Sequence, residues 1–388
     1  ECRARCRRLH PGGTSMPKEL VAIAPRTPAL RDYDEPPLGP SQIRIRTELA
    51  SPKHGTELVA YRDDPVASRA YDPAWGAMMP RSADAARRAF PRRLGNMAVG
   101  IVSEAGSDVS RFRVGDRVFG HFSIRETHTV DQDRVDPLPD SLSAEAALCL
   151  DPVVMALAVR DAQIALGDRV AVFGLGAIGL VAVQLACLAG ADQVIAVDPL
   201  ANRRELALAL GADVAIDPTA EGADAGLAIR RLQLGDADPE RLDPPPPKRL
   251  VGGYTEDTTQ HHQLGVDVAL ETSGSIAALH GAIRSTRFGG TVCVVSFYGR
   301  DAAGLHLGDE FHINQLRLIS ARAQSLPLRA APAWTLERTI ELALRWMISG
   351  RIRTEGILTP VVPFEESVDA YRMIDEHPQR SIKLGIRF

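Results

Sequence analysis

Cysteine is scarce in this chain, five residues in 388, which excludes a disulfide-stapled secreted scaffold. Cys2 and Cys6 fall in an Arg-rich leader, while Cys149, Cys187 and Cys293 sit in apolar runs, the usage of buried free thiols in a reducing compartment. Neither sign of charge is in excess. Lys and Arg number 45 against 49 Asp and Glu, and a formal net charge of −4 argues against nucleic acid or an anionic membrane as a partner. A bilayer-spanning apolar run is also missing, since the longest candidate, over residues 170–190, is broken by Gly and Gln. Residues 1–15 lack the apolar stretch of a secretory signal, and Met16 reads as the natural start, with a mitochondrial-type presequence as the alternative. These absences point to a cytoplasmic protein, and its length suits two domains with their own cores.

What is present is an ordered change of period. Short alternating strands separated by Pro/Gly turns, such as 42–47, 98–103 and 116–119, predict a mostly β, barrel-like unit from residue 19 to about 138. From residue 144 the period turns helical. Strand 169–173, helix 177–189, strand 193–197, helix 201–210 and strand 214–216 then predict a parallel sheet with crossover helices. Between 218 and 263 the alternation stops in Asp, Pro, Arg and Gly. Most of that stretch is expected to be a surface insertion, partly disordered, with residues 222–248 dispensable to the fold. The sheet resumes at 266–270 and 290–296 and ends near 316–320. An amphipathic helix follows over 334–348, and strands at 358–362 and 381–388 are read as returning to the first unit. The expected division is a leader 1–15, a catalytic domain 16–152, a nucleotide domain 153–322 containing the insertion 219–263, and a return 323–388.

The densest chemical signal is the glycine pattern Gly174, Gly176 and Gly179, placed directly after a buried strand and before a helix. Gly174 makes the tight turn, Gly176 lets backbone approach a pyrophosphate, and Gly179 permits close helix–strand packing. Ala177 and Ile178 complete the helix N-terminus, whose free N–H groups and dipole hold phosphate oxygens. Asp198 ends the second strand 19 residues beyond Gly179, where its carboxylate can accept from ribose hydroxyls and repel a 2′-phosphate. NAD is therefore favoured over NADP, though Arg203 and Arg204 lie close enough in sequence to offset such a phosphate. A methyltransferase binding S-adenosylmethionine shares a Gly-rich turn and acidic strand end, but the β-rich domain before the motif and the tail returning to it argue against that reading.

Taken in order, Ser51-Pro-Lys-His-Gly-Thr-Glu57, Gly115-Asp-Arg-Val-Phe119, Asp151-Pro152, the glycine pattern, Leu270-Glu-Thr-Ser-Gly274, Phe288-Gly-Gly290 and Ile382-Lys383 resemble the medium-chain dehydrogenase/reductase superfamily over residues 18–388. The resemblance implies an α/β protein. A GroES-like, mostly β catalytic domain would be split around a Rossmann doubly wound parallel sheet, with hydride transfer in the cleft between them and a dimeric or tetrameric assembly. It places Thr272 and Ser273 beside the adenine-side ribose and Val295, Ser296 and Phe297 along the nicotinamide.

The family's zinc ligands are missing by type. His54 stands where its catalytic Cys is expected, Asn96 where its His is expected, and Asp151 at the third ligand. Asn is a poor ligand for zinc, and the stretch after Gly120 holds no Cys for the structural zinc lobe. Zinc is therefore not expected, in likeness to zinc-less members such as bacteriochlorophyllide a dehydrogenase. His121 and His128 read as solvated loop histidines, as do His261 and His262 in the insertion.

Without a metal, the reacting oxygen must be polarised by hydrogen-bond donors, each able to supply ~3 kcal/mol in a dry preorganised site. By resemblance Thr56 is the hydroxyl that meets the substrate oxygen, or else a turn-capping Thr. Val59 replaces the family's outward His, which leaves His54 as the substitute acid/base or as a structural histidine. Asp151 could orient His54, act as a base, or cap a helix starting near Val153. Tyr61 is a further proton-donor candidate. The leading expectation is a zinc-independent, NAD(H)-linked alcohol/ketone oxidoreductase. A quinone or enoyl reductase and a catalytically silent NAD-binding protein are the alternatives.

Overall fold

The structure, a computed structural model, describes residues 16–81, 90–220, 224–234, 248–249, 252, 255–256, 264–326 and 328–388. The leader, the Pro run at 244–247 and His261–His262 fall outside the described residues. The chain divides into two compact units, Glu1–Cys149 with Ile357–Phe388, and Leu150–Gly356.

The first unit is mostly β. Its strands are β1 (Lys18–Ala24), β2 (Thr27–Asp32), β3 (Gln42–Ser51), β4 (Arg69–Asp72), β5 (Ala77–Pro80), β6 (Arg92–Arg93), β7 (Met97–Ala105), β8 (Arg117–Gly120), β9 (Thr127–Asp131) and β10 (Asp136–Pro137), followed on the return by β19 (Leu358–Pro363) and β20 (Lys383–Arg387). Helix α1 (His54–Arg62) follows β3, α2 (Ala144–Ala147) precedes the exit from the unit, and α9 (Ser367–Glu376) lies between β19 and β20. Strand β3 shows why the pattern works. Ile43, Ile45, Thr47 and Leu49 point inward while Arg44, Arg46 and Glu48 do not, the period-two alternation of a half-buried strand. It sits between β7 and β20, and β9 pairs with it as well. The tail closes this sheet, Ile386 lying opposite Ala50. Leu20, Ile43, Leu94, Ile124, Leu384 and Ile386 are fully buried in one core, each stabilising by about 1.5–3 kcal/mol.

The second unit begins with α3 (Leu150–Ala156) and continues through β11 (Arg169–Phe173), α4 (Ala177–Ala189), β12 (Gln193–Val197), α5 (Ala201–Ala209), β13 (Val214–Ile216) and α6 (Ala225–Leu232). The short pair β14 (Lys248–Arg249) and β15 (Thr255–Glu256) precedes β16 (Val266–Glu271), α7 (Ile276–Ser285), β17 (Thr286–Val294), β18 (Arg317–Ser320) and α8 (Leu336–Ile348). The described sheet is parallel in the order β13-β12-β11-β16-β17-β18. Order therefore reverses between β11 and β16, and the C-terminal ends of those two strands form the switch point where such sheets bind ligands.

Three expectations need correction here. The return to the first unit occurs at Ile357, so residues 323–356 stay with the nucleotide unit, as do Leu150, Asp151 and Pro152. The reason lies in α4: the buried Gln184 side chain donates to the Arg353 carbonyl at 2.9 Å and accepts from its N–H at 2.8 Å, tying the end of that segment to the helix. The second correction concerns the dispensability of residues 222–248, part of which packs on the core. Asp224 accepts from the Leu227 N–H and caps α6, and Ile229 is fully buried. Arg230 donates to the carbonyls of Arg284, Leu264 and Thr286 at 2.6–2.8 Å. Removing residues 222–248 would remove that helix, so the expectation that they are dispensable does not stand. Cys187 also differs from expectation, lying exposed near the end of α4, whereas Cys149 and Cys293 are buried.

Candidate functional site

In the second unit, the end of β11 is built around its glycines. Gly174 adopts φ +90°, and a Cβ there would come within 2.5 Å of the Ser273 Cβ. A Cβ on Gly179 would lie 1.8 Å from the Gly174 carbonyl oxygen. Only glycine fits at either position. Gly176, the N-cap of α4, faces open space. Asp198 braces the loop from one side, its Oδ2 accepting from the Leu175 N–H at 2.7 Å and its Oδ1 from the Leu200 N–H at 2.9 Å. Thr272 braces it from the other, its hydroxyl near the carbonyls of Gly174 (2.6 Å) and Phe173 (3.0 Å). The first-turn N–H groups of α4, at Ala177, Ile178 and Gly179, have no acceptor within the helix. A rigid loop, open at Gly176 and ending in a helix N-terminus, fits a pyrophosphate.

Asp198 is 3% exposed. Arg203 Nη1 stands 3.8 Å from its Oδ2, and Arg204 donates to its carbonyl at 2.7 Å while pairing with Asp217 at 3.1 Å. Burial pulls the Arg203 guanidinium below its usual value, and the Asp198 charge opposes that. Both arginines are therefore engaged with acidic neighbours.

Sequence reasoning missed the carboxylate that organises the β16 and β17 ends. Glu271, with no exposed surface, accepts from the Ser273 and Gly274 N–H groups, from the Ser273 hydroxyl, from Ser296 and from Tyr298 at 2.5 Å. Burial and the Glu271 charge push the Tyr298 phenol well above its ordinary value. Val295 N–H donates to the Glu271 carbonyl at 2.9 Å, and Phe297 is half exposed beyond it. The Ser273 and Ser296 hydroxyls thus converge on the Glu271 carboxylate, and Glu271 lies within the Leu-Glu-Thr-Ser-Gly landmark.

In the first unit, α1 carries the other candidates. His54 Nε2 accepts from the Leu384 N–H at 3.0 Å, so a neutral His54 carries its proton on Nδ1. Thr56 is exposed in the first turn of α1; the N-cap is Lys53, so Thr56 does not cap. Glu57, also unflagged by sequence, accepts from the N–H groups of Lys53 (3.1 Å) and Gly95 (2.8 Å) and from the Tyr371 hydroxyl (2.6 Å). Burial raises its carboxyl above the ordinary value, against the lowering effects of those donors and of Lys383. Asn96 holds a buried Nδ2 without a hydrogen-bond partner. Tyr61 is wholly buried against Tyr371, and burial with Asp375 pushes its phenol up to about 12, which suits a core residue rather than a proton donor. Asp151 is buried in the first turn of α3, in the second unit, and since that helix begins at Leu150 it is not the N-cap.

These donors do not fit a zinc ion. Among the described residues no group of three or more His, Cys, Asp or Glu is placed to hold one. The His54 Nε2 lone pair is directed to a backbone N–H, Asn96 is an amide, and the Glu57 carboxylate is wrapped by three donors.

Comparison with known proteins adds what geometry alone does not. The chain matches the alcohol dehydrogenase GroES-like domain over residues 74–148 and the zinc-binding dehydrogenase family over residues 177–336. It is 38% identical over 379 residues to D-guloside 3-dehydrogenase of Escherichia coli (strain K12), covering 96% of this chain and 100% of that protein. The chain belongs to the medium-chain dehydrogenase/reductase superfamily. Another relative, (R,R)-butanediol dehydrogenase of Bacillus subtilis (strain 168), is 29% identical over 58% of this chain and 62% of its own. In fold, the chain is similar to the crystal structure of 2R,3R-butanediol dehydrogenase from Bacillus subtilis, with TM-score 0.65, 20% identity, and coverage of 96% of this chain and 99% of that one. A zinc-binding dehydrogenase from Sinorhizobium meliloti 1021, described as putative and solved with NADP, gives TM-score 0.66 at 20% identity over 97% of this chain and 100% of that one. The protein is an alcohol dehydrogenase-like NAD(P)-dependent oxidoreductase, and its two units are the GroES-like and Rossmann parts of that fold. No described helix is long and apolar enough to cross a membrane.

Proposed function

We propose that this protein oxidises a secondary hydroxyl of a sugar glycoside, or reduces the matching ketone, with NAD(H) and without catalytic zinc. The observation that carries the reading is the full-length 38% identity to a guloside 3-dehydrogenase, joined to a glycine loop braced by Asp198. The nicotinamide, when bound, accepts or returns the hydride. The chain's own residues do the rest. The loop at Gly174–Gly176 and the α4 N-terminus bind the pyrophosphate, and Asp198 favours a ribose with a free 2′-hydroxyl. Thr272 and Ser273 border the adenine-side ribose, and Val295, Ser296 and Phe297 the nicotinamide. Thr56 holds the substrate oxygen and passes its proton. Asn96 Nδ2 is a second donor toward that oxygen, in the place where the family has a metal ligand. His54 exchanges protons through Nδ1, because Nε2 is held by Leu384. Asp151 is the carboxylate candidate for the same proton path.

The assay is nucleotide-linked turnover with a panel of glycosides, simple secondary alcohols, quinones and enones. Reduction of NAD by a glycoside supports the reading. Turnover of quinones or enones alone would replace it with the conjugated-acceptor reading, and binding without turnover would point to a silent protein. A cytoplasmic dimer or tetramer is part of the same proposal, checked by light scattering and fractionation.

A further inference from the structure

In the first unit a cavity of about 260 Å³ opens among Arg93, Arg125, Arg134, His121, His128 and Ser123, and His121 Nδ1 lies 3.2 Å from the Asn96 carbonyl at its edge. No carboxylate among the described residues lines it. The charge count around it is unbalanced, because the almost fully buried Glu19 is the shared acid for Arg31, Arg93 and Arg125. Arg134 makes no ion pair among the described residues. Like charges are thus gathered around a half-open cavity, with Glu19 the acid paired to them among the described residues, which raises the local potential and draws anions.

The cationic wall is held in place before any ligand arrives. The Arg125 guanidinium lies 3.7 Å over the Tyr33 ring, and the Tyr33 hydroxyl is fixed to Thr127. His128 stacks on Phe122 with centroids 4.5 Å apart. His128 is 6% exposed, not a solvated loop residue as expected from sequence, and its buried Nε2 has no hydrogen-bond partner. Arg125 Nε is likewise buried and without one. Both atoms are closed off from the cavity itself, so these two side chains are packed into its wall and are not free to swing away.

We infer that this cavity is a phosphate site, taking inorganic phosphate or the headgroup of a phosphate monoester. Guanidinium groups from three elements, an imidazole N–H and the Ser123 hydroxyl match an oxyanion with acceptors in several directions, which a planar carboxylate would use only in part. The site occupies the region where the family's cysteine lobe is absent, and nothing in the proposed reaction uses it.

The test is calorimetric titration of the NAD-saturated protein at physiological salt, with inorganic phosphate and, separately, with a sugar phosphate monoester. Saturation with NAD keeps phosphate from the α4 N-terminus. One phosphate should bind per chain, and Arg134→Ala, which breaks no ion pair, should weaken it about tenfold. Ser123→Ala, which removes a hydroxyl from the lining, should weaken it too, and Arg317→Ala on β18 should not. Tighter binding of the monoester than of inorganic phosphate assigns the site to a phosphorylated metabolite, and equal binding assigns it to the free ion. Absence of saturable heat, or binding that Arg134→Ala and Ser123→Ala leave unchanged, would overturn the inference and leave an adventitious ion only.

Discussion

At His128, burial together with the charges of Arg125 and Arg93 holds the imidazole down to about 3, against an ordinary value of 6.5. The folded state therefore binds this proton less readily than the unfolded chain. Its contribution to stability is fully present above pH 6.5 and is lost as pH falls from there toward 3, at about 1.4 kcal/mol per pH unit. In unfolding titrations His128→Phe should lose less stability over that window than the unaltered protein, and parallel curves would refute the assignment. Glu57 has the opposite sign of shift. Its folded carboxyl is raised, so its contribution is largest below the ordinary 4.5 and declines as pH rises through the folded value. Its hydrogen bonds count separately. Glu57→Ala leaves the N–H groups of Lys53 and Gly95 and the Tyr371 hydroxyl buried without acceptors, at about 1–3 kcal/mol each. Glu57→Gln keeps an acceptor for two of them, so it should unfold at higher urea than Glu57→Ala, and equal midpoints would show that the three hydrogen bonds do not matter.

At the scale of elements, α6 is the instructive case. Ile229→Ala should cost about 2–5 kcal/mol if the helix is a built part of the second unit, as its zero exposure indicates. A loss under 0.5 kcal/mol would return the segment to the status of a surface loop. Its absence from the sequence reading has a physical reason. Eight residues give two turns, too few for a period to stand out among Asp, Arg and Gly, and the side chain that anchors it, Arg230, bonds to carbonyls distant in sequence. The longer elements were legible. Alternation in β3 and unbroken apolarity in β11 report burial on one face or two, and α4 was delimited by Gly176 and Gly190. The glycine loop was legible because backbone sterics demand glycine there. Glu57 and Glu271 were not, since the worth of a buried acid depends on donors such as Tyr371 and Tyr298 that only the fold brings to it. His128 was misread for the same reason, as local sequence does not show that β9 buries its ring on Phe122.

For the whole molecule, nucleotide preference and the polarising of the substrate are the two properties to test. Asp198 accepts two backbone N–H groups and keeps Arg203 and Arg204 engaged. The protein should bind NADH more tightly than NADPH, and Asp198→Ser should narrow the gap; equal affinities of the unaltered protein for both would refute this. Because Asp198 also braces the loop, the comparison rests on the ratio of the two affinities and not on either alone. The central claim is that hydrogen-bond donors, with Thr56 and Asn96 foremost, replace zinc. It is tested most directly by one experiment on protein purified without chelator: zinc content per chain, measured alongside glycoside-dependent NADH formation before and after chelation. The account predicts well under one zinc per chain and turnover unchanged by the chelator. One tightly held zinc per chain, with turnover abolished on its removal and restored on its return, would contradict it.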